Sequence, residues 1–463
     1  SNTQLTNPIL MKINNNIPTN EGSIRSLKKY KKKTIKKNFT NSYKLFSKAI
    51  KIIPTASQTF SKSHLQWPLN ASPLFLKKGK GCVITDVDNN KYIDYLLALL
   101  PIITGYADTE IDRAVKKQID NGVILSLSHP LEIELSEILI NTIPYAEMVK
   151  FGKNGSDALS AAVRIARAYT KRDHVAVSGY HGWHDWFIGT TSRNKGIPKN
   201  VTQLTKTFEF NNIVSFLNTI NNKPDKFAAI IVEPETIIET DPSFLKFLRK
   251  FSKKNNILLI FDEIICGFRT QFGGASKKYG IIPDLGCFGK SIANGYPLSA
   301  LVGKKKYMKV LDEVFVSGTF SGDIISIVAA ITTIKKLKRQ RVIEQINKLG
   351  KNLKYDINSI IDDNDLNDHV SLEGNDWWPR LNIKTKKIDN VLFQTLLRQE
   401  FIQNQLFIGA SLNLCLSHCD EKIINTTLKR FQRVASAMKN IISSKNPKSF
   451  LRGKMVSSIF KVR

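Results

Sequence analysis

One lysine stands apart from the chain's other cations. Lys290 lies in "GCFGKSIANGYPLSALVG" (286–303), flanked by Gly286, Cys287, Phe288, Gly289, Ser291, Ile292 and Ala293. In so small and uncharged a neighbourhood an ammonium needs either a partner or a task. Upstream, Asp262 closes the apolar run "NILLIFDE" (256–263), where an ionised carboxylate calls for a cation or strong donors. It is either a structural acid bound to backbone donors or the counter-charge of a ligand. Between the two, "GASKKYGIIPDLGCFG" has room for one helix and one short strand. Ligands of open α/β sheets collect beyond the carboxyl ends of strands, so acid and amine converge on one crevice. A free lysine amine, with a pKa of about 10.4, is protonated at neutral pH; desolvation or bonding to a carbonyl makes it reactive.

A third group precedes a helix. In "FGKNGSDALSAAVRIARAYTKRD", Ala158, Leu159, Ala162, Val163, Ile165, Ala166 and Tyr169 mark one buried face. Asn154, Gly155, Ser156 and Asp157 form the entry loop, which is either an ordinary N-cap or a phosphate cradle at the positive end of the helix dipole. Phosphate cradle, counter-ion for a pyridinium and reactive amine are together the three handles of pyridoxal 5'-phosphate. The glycines around Lys290 then read as places where the backbone approaches a flat ring. "SGYHGWHDWF" (178–187) adds Tyr180, a ring that stacks on the cofactor or fills the core, with His181 and Trp183 beside it. "VSGTFSGD" (316–323) offers Thr319 as a second phosphate donor or as part of a helix cap.

These groups need a frame. Strand-like runs "HVAVSG" (174–179), "FAAIIVEP" (227–234) and "NILLIFDE" alternate with amphipathic helices, which predicts a parallel sheet covered on both faces. The expected organisation is a basic, loosely packed extension (1–40) and an N-terminal segment with a small antiparallel sheet (41–95). A large ligand-binding domain (96–335), a smaller α+β domain (336–440) and a basic tail (441–463) follow. The net charge of +30 is spread along the chain with abundant lysine, asparagine and isoleucine, and the basic arm carries little aromatic platform, so nucleic acid is not expected as a partner. No apolar run reaches the roughly 20 residues of a membrane span. The start of the chain lacks a signal-peptide pattern, and the five cysteines are scattered, which together point to the cytoplasm. Cys415 and Cys419, with His418 between them, have no second ligand pair, so no metal is expected.

From about residue 45 to 440 the chain resembles the class III, fold-type I pyridoxal-phosphate aminotransferases, in their glutamate-1-semialdehyde aminomutase-like branch. The resemblance rests on "SPLFLKKGKGCVITDVDNNKYIDYL", "NGSDALSAAVRIARAYTKRDHVAVSGYHGWHD", "LLIFDEIICGFRTQFGGASKKYGIIPDLGCFGKSIANGYPLSALVG" and "SGTFSG". It implies a large, mainly parallel-sheet domain with a smaller α+β domain, and an aminotransferase working by a ping-pong Schiff-base cycle between an amino donor and an aldehyde or keto acceptor. By this resemblance Lys290 is the Schiff-base lysine and proton carrier, and Asp262 the partner of the pyridine nitrogen. Gly155 and Ser156 hold the phosphate, Tyr180 stacks on the ring, and His181 lies against the cofactor. Glu233 in "VEPE" is an acid near the site, and Thr319 reaches the phosphate in the neighbouring subunit of a homodimer. Substrate contacts fall to Lys62, Leu99 and Trp183. Leu99 and Leu100 replace an aromatic and a glycine of the aminomutases, and Lys62 replaces an arginine. An intramolecular aminomutase and a catalytically silent binding protein on the same fold are the alternatives.

Overall fold

The computed structural model describes residues 37–457. Residues 1–36 and 458–463 lie outside the described residues, and with them nearly all of the basic arm and the end of the tail. The described residues form two compact units, one made of residues 98–347 and one of residues 37–97 together with 348–457.

In the discontinuous unit, β1 (Leu76–Lys80), β2 (Val83–Asp86) and β3 (Lys91–Asp94) pair antiparallel, as their turn residues predict. The β2–β3 turn is closed by Asp86, whose Oδ1 accepts from the amides of Asp88 (3.0 Å) and Asn90 (2.8 Å), with Asn89 left-handed at φ +68°.

The central sheet belongs to the other unit. Strands β4 (Met148–Gly152), β5 (His174–Ser178), β6 (Thr205–Thr207), β7 (Phe227–Val232), β8 (Leu258–Glu263), β9 (Leu285–Phe288) and β10 (Ser299–Gly303) lie in the order β4-β10-β9-β8-β7-β5-β6. The run β9-β8-β7-β5-β6 is parallel, and β10 is antiparallel to both neighbours. Every residue of β7 and β8 is buried because helices cover both faces, which is why the two strands read as unbroken apolar runs. Ala229 and Ile231 pack with Ala158, Leu159, Ala162 and Val163 of the helix Gly155–Thr170. Ile230 and Val232 face the other way, with Phe216, Phe244, Leu245 and Leu248. Each such side chain contributes about 1.5–3 kcal/mol by leaving water. Tyr169 departs from the expected buried face: it stands 45% exposed on the last turn, edge-on to Tyr307 at 4.8 Å.

The remaining strands lie in the discontinuous unit. β11 (Val370–Glu373) and β12 (Arg380–Ile383) pair antiparallel, while β13 (Leu406–Phe407) runs parallel to β3. The helix Glu421–Ser443 follows.

Candidate active site

Asp262 and Lys290 leave the sheet at neighbouring strand ends. Asp262 pairs in register with Cys287 on β9, and Lys290 follows three residues on, so both pass the same carboxyl-terminal edge. Lys290 begins a short turn, Lys290–Ala293, with φ +43°, a left-handed conformation unusual for a side-chain-bearing residue. Two glycines of this stretch are constrained by packing within the protein. A Cβ at Gly286 would overlap the Tyr145 hydroxyl, and one at Gly295 would come within 2.7 Å of Ile102.

Asp262 is buried and doubly engaged. Its Oδ1 accepts from the Ile264 amide at 3.1 Å, and its Oδ2 lies 2.7 Å from Nδ1 of His181. Nε2 of His181 lies 3.0 Å from the Ser178 carbonyl at the end of β5. The ring therefore stands between two acceptors, and satisfying both takes one proton more than a neutral imidazole and a carboxylate carry. These two contacts fix the plane of the ring against the Asp262 carboxyl.

Glu233, just past β7, accepts the Tyr180 amide on Oε1 at 2.9 Å. Burial, and then the charge of Asp262, push its carboxyl up to about 7; His181, the Tyr180 N–H and Lys290 oppose the rise. Lys290 moves the other way. Desolvation brings its amine down to about 8, Glu233 and Asp262 counter this, and the charge of Arg269 adds to it. His181, Glu233 and Asp262 bring one ligand-type atom each within 4.8 Å of one another. Within this cluster His181 Nδ1 and Asp262 Oδ2 lie 2.7 Å apart.

The entry loop of the helix Gly155–Thr170 closes on these groups. Ile264 touches both sides: Cβ atoms built at Gly155 and Gly289 would lie 3.1 and 3.2 Å from it. Asp157 folds back onto the amides of Asn154 (2.7 Å) and Lys153 (2.9 Å), so it supplies the cap and leaves Gly155 and Ser156 at the dipole's positive end. Ser156 Oγ accepts the Trp183 amide at 3.4 Å and occupies the space a side chain at Gly182 would need. Tyr180 is 39% exposed, its ring edge-on to Phe187 at 5.6 Å, which leaves part of the ring open to a ligand. Trp183 is 67% exposed.

Thr319 is exposed in the loop before the helix Ile324–Arg339. That loop is tied to the entry loop of the helix Gly155–Thr170 because Lys153 pairs with Asp323, the N-cap of the helix Ile324–Arg339. Leu99 is half-buried with φ +75°. Lys62 belongs to the other unit, exposed on the turn Phe60–Lys62.

Three buried residues escape the sequence reading. Arg269 is fully buried and donates to the carbonyls of Leu100 and Ile102. Asn294 grips the segment after them. Glu263, whose carboxyl burial pushes up to about 8, accepts the Ala275 amide at 2.7 Å. The available signal was an arginine inside the uncharged stretch "IICGFRTQFGG".

The sequence pattern of the Aminotransferase class-III family matches residues 67–375. The chain belongs to the class-III aminotransferases. This class-III aminotransferase is 35% identical over 405 residues to 3-aminobutyryl-CoA aminotransferase of Cloacimonas acidaminovorans, covering 84% of this chain and 96% of that one. It is 34% identical to glutamate-1-semialdehyde 2,1-aminomutase of Methanothermobacter thermautotrophicus, over 80% of this chain and 93% of that one. The solved internal aldimine form of the Sphingopyxis sp. FumI protein, which contains pyridoxal phosphate, matches with a TM-score of 0.82 and 25% identity. That match covers 89% of this chain and 100% of that chain. Pyridoxal 5'-phosphate is the cofactor, the chain is a fold-type I enzyme, and it acts on small molecules. The site fits that cofactor in its chemistry: a helix N-terminus for the phosphate, a buried carboxylate for the ring nitrogen and a depressed amine for the carbonyl. Among the described residues no helix is long and apolar enough to cross a membrane.

Proposed function

We propose that this class-III aminotransferase moves an amino group between an amino donor and an aldehyde or keto acceptor in a ping-pong cycle, with Lys290 as the covalent anchor and proton carrier. When bound, the cofactor supplies an electron sink for the substrate carbon. Asp262, held by His181, keeps a negative charge facing the ring nitrogen. Gly155 and Ser156 donate to the phosphate, Tyr180 covers one ring face, and Glu233 sets the charge around the Lys290 amine. Nζ of Lys290 then lifts and returns the proton at the substrate carbon. An amine brought down to about 8 suits that work near neutral pH.

The observation that carries this reading is the convergence on Ile264. The phosphate loop at Gly155 and the backbone beside Lys290 at Gly289 both pack on it, two residues from Asp262. Leu99 and Trp183 are proposed as substrate walls, with Leu99 and Leu100 standing where the aminomutases place an aromatic and a glycine. Lys62 is proposed to meet an anionic substituent as a point charge. The name of one relative, 3-aminobutyryl-CoA aminotransferase, supports 3-aminobutyryl-CoA as the first amino donor to try. We further infer a homodimer in which Thr319 serves the partner's phosphate. The five free cysteines support a reducing, cytoplasmic setting.

The test is a screen of amino donors and carbonyl acceptors that follows the colour change of the bound cofactor. Wild type should be yellow and yield a lysine adduct on borohydride reduction, while Lys290→Ala gives neither. A colourless wild type with no adduct overturns the reading. Label that moves only within one molecule, never from donor to a separate acceptor, would favour the aminomutase instead.

A further inference from the structure

Arg269 has no part in the function proposed above, yet burying a guanidinium demands a return. Its Nε donates to Ser291 Oγ at 2.8 Å and to the Leu100 carbonyl at 3.2 Å. Its Nη2 donates to the carbonyls of Leu100 (2.7 Å) and Ile102 (2.8 Å). Ser291 Oγ in turn donates to the same Leu100 carbonyl at 3.2 Å. Ser291 is the residue after Lys290, so the guanidinium bridges the site lysine's neighbour and a distant loop.

That loop is strained. Ala98, Leu99 and Leu100 have φ of +53°, +75° and +81°, and Leu97 before them has +46°. Consecutive left-handed residues bearing side chains hold only where the surroundings fix them. Asn294 fixes the far side: its Oδ1 takes the amides of Ile103 (2.8 Å) and Thr104 (3.0 Å), and its Nδ2 donates to the Gly105 carbonyl at 3.0 Å. A planar fork can reach two carbonyls and a hydroxyl at once; an ammonium on a flexible stem cannot hold the same directions.

We propose that Arg269 is a positioning residue that ties the left-handed Ala98–Leu100 turn to Ser291, and so sets where Leu99 stands relative to Lys290 and how large an acceptor the site admits. The proposal rests on the aminotransferase reading and on Leu99 as a substrate wall. The charge of Arg269 also holds the Lys290 amine down, so the clamp and the reactivity of the lysine share one group.

The experiment compares wild-type holoenzyme with Arg269→Lys, Ser291→Ala and Leu99→Ala. It measures amide hydrogen exchange over residues 96–105, the visible spectrum, and kcat and KM for a series of straight-chain keto acids. Arg269→Lys should keep the yellow band but exchange at least about tenfold faster across Ala98–Thr104. Its preference for long over short acceptors should move about tenfold in the direction Leu99→Ala moves it, through KM more than kcat. Ser291→Ala, which removes one leg of the clamp, should shift both readouts the same way but less; it decides the matter if the arginine variant does not fold. Unchanged exchange and unchanged acceptor preference in a folded, yellow variant overturn the clamp. A colourless, inactive wild type overturns the aminotransferase reading beneath it, a failure seen before any variant is made.

Discussion

Asp262 and His181 meet at 2.7 Å, Oδ2 to Nδ1, with the far side of the imidazole on the Ser178 carbonyl. The acid at the end of β8 is thus anchored to the end of β5, across β7, and the strand that carries it does not position it alone. Removing the charge while keeping the shape tests this. Asp262→Asn should lower the affinity for cofactor and the turnover by about 100-fold or more, since a charge-assisted bond gives way to a neutral one. Equilibrium dialysis and steady-state rates check both. An Asp262→Asn enzyme within threefold of wild type would show that the pair is structural only.

The loop of Gly155 and Ser156, proposed to hold the phosphate, interlocks with the aromatic loop through Gly182. Gly182 has φ +96°, and a Cβ there would overlap Ser156 Oγ. Gly196 has a similar φ of +90° but faces open space. Both alanine variants should lose about 1–2 kcal/mol to the left-handed backbone. Only Gly182→Ala should also displace Ser156 and weaken cofactor binding, by about tenfold or more. Thermal unfolding with cofactor titration separates the two. Equal cofactor affinity in both variants would remove Ser156 from the phosphate site.

Much of this site was legible because charge in apolar sequence is costly and therefore conspicuous. Asp262 and Lys290 announce themselves by the runs around them, and the buried face Ala158–Ala166 follows from helical spacing. The rest depends on tertiary contacts that leave no periodicity. "LALLP" reads as an ordinary apolar segment, and nothing in it signals a left-handed turn, because Arg269 and Asn294 impose the turn from far along the chain. At Gly286 and Gly295 the sequence could not show that Tyr145 and Ile102, both remote in the chain, leave no room for a Cβ. Tyr169 fits the helical spacing, but on the last turn it lies beyond the cover that buries Ala158–Ala166.

Protonation at the site has a definite sign. In the cofactor-free protein Lys290 titrates at about 8 rather than 10.5, and Glu233 at about 7 rather than 4.5. Capture of the cofactor needs a free amine, so its rate should rise with pH through about 8. The Glu233 carboxylate raises the lysine value. Glu233→Gln removes that charge and should move the midpoint of capture about one pH unit lower. The stability of the cofactor-free protein follows the same values. Between about 8 and 10.5 the unfolded chain holds more protons at Lys290, so this group's contribution rises with pH. Glu233 does the reverse, stabilising below 4.5 and losing that contribution as pH climbs to about 7. Stopped-flow uptake against pH checks the first statement and denaturant titration the second; a midpoint that rises in Glu233→Gln would refute the assigned coupling.

The proposed homodimer can be tested at one exposed apolar segment. Val123, Ile124, Leu125 and Leu127 are exposed in one short segment, Leu127 by 87%. The Val123 carbonyl accepts the Ile324 amide at 2.9 Å, which fixes this segment beside the helix that follows the Thr319 loop. That loop carries Phe315 and Phe320, both exposed as well. So much apolar surface beside a phosphate-binding candidate favours a second copy as its cover, with Thr319 delivered to the partner's site. Leu127→Asp should shift the chain toward monomer in light scattering and lower cofactor affinity at the same time. Thr319→Ala should leave the dimer intact and cost about 10- to 100-fold in cofactor affinity, the value of a hydroxyl bond to a charged phosphate. If Leu127→Asp is monomeric and still binds cofactor like wild type, Thr319 serves no partner.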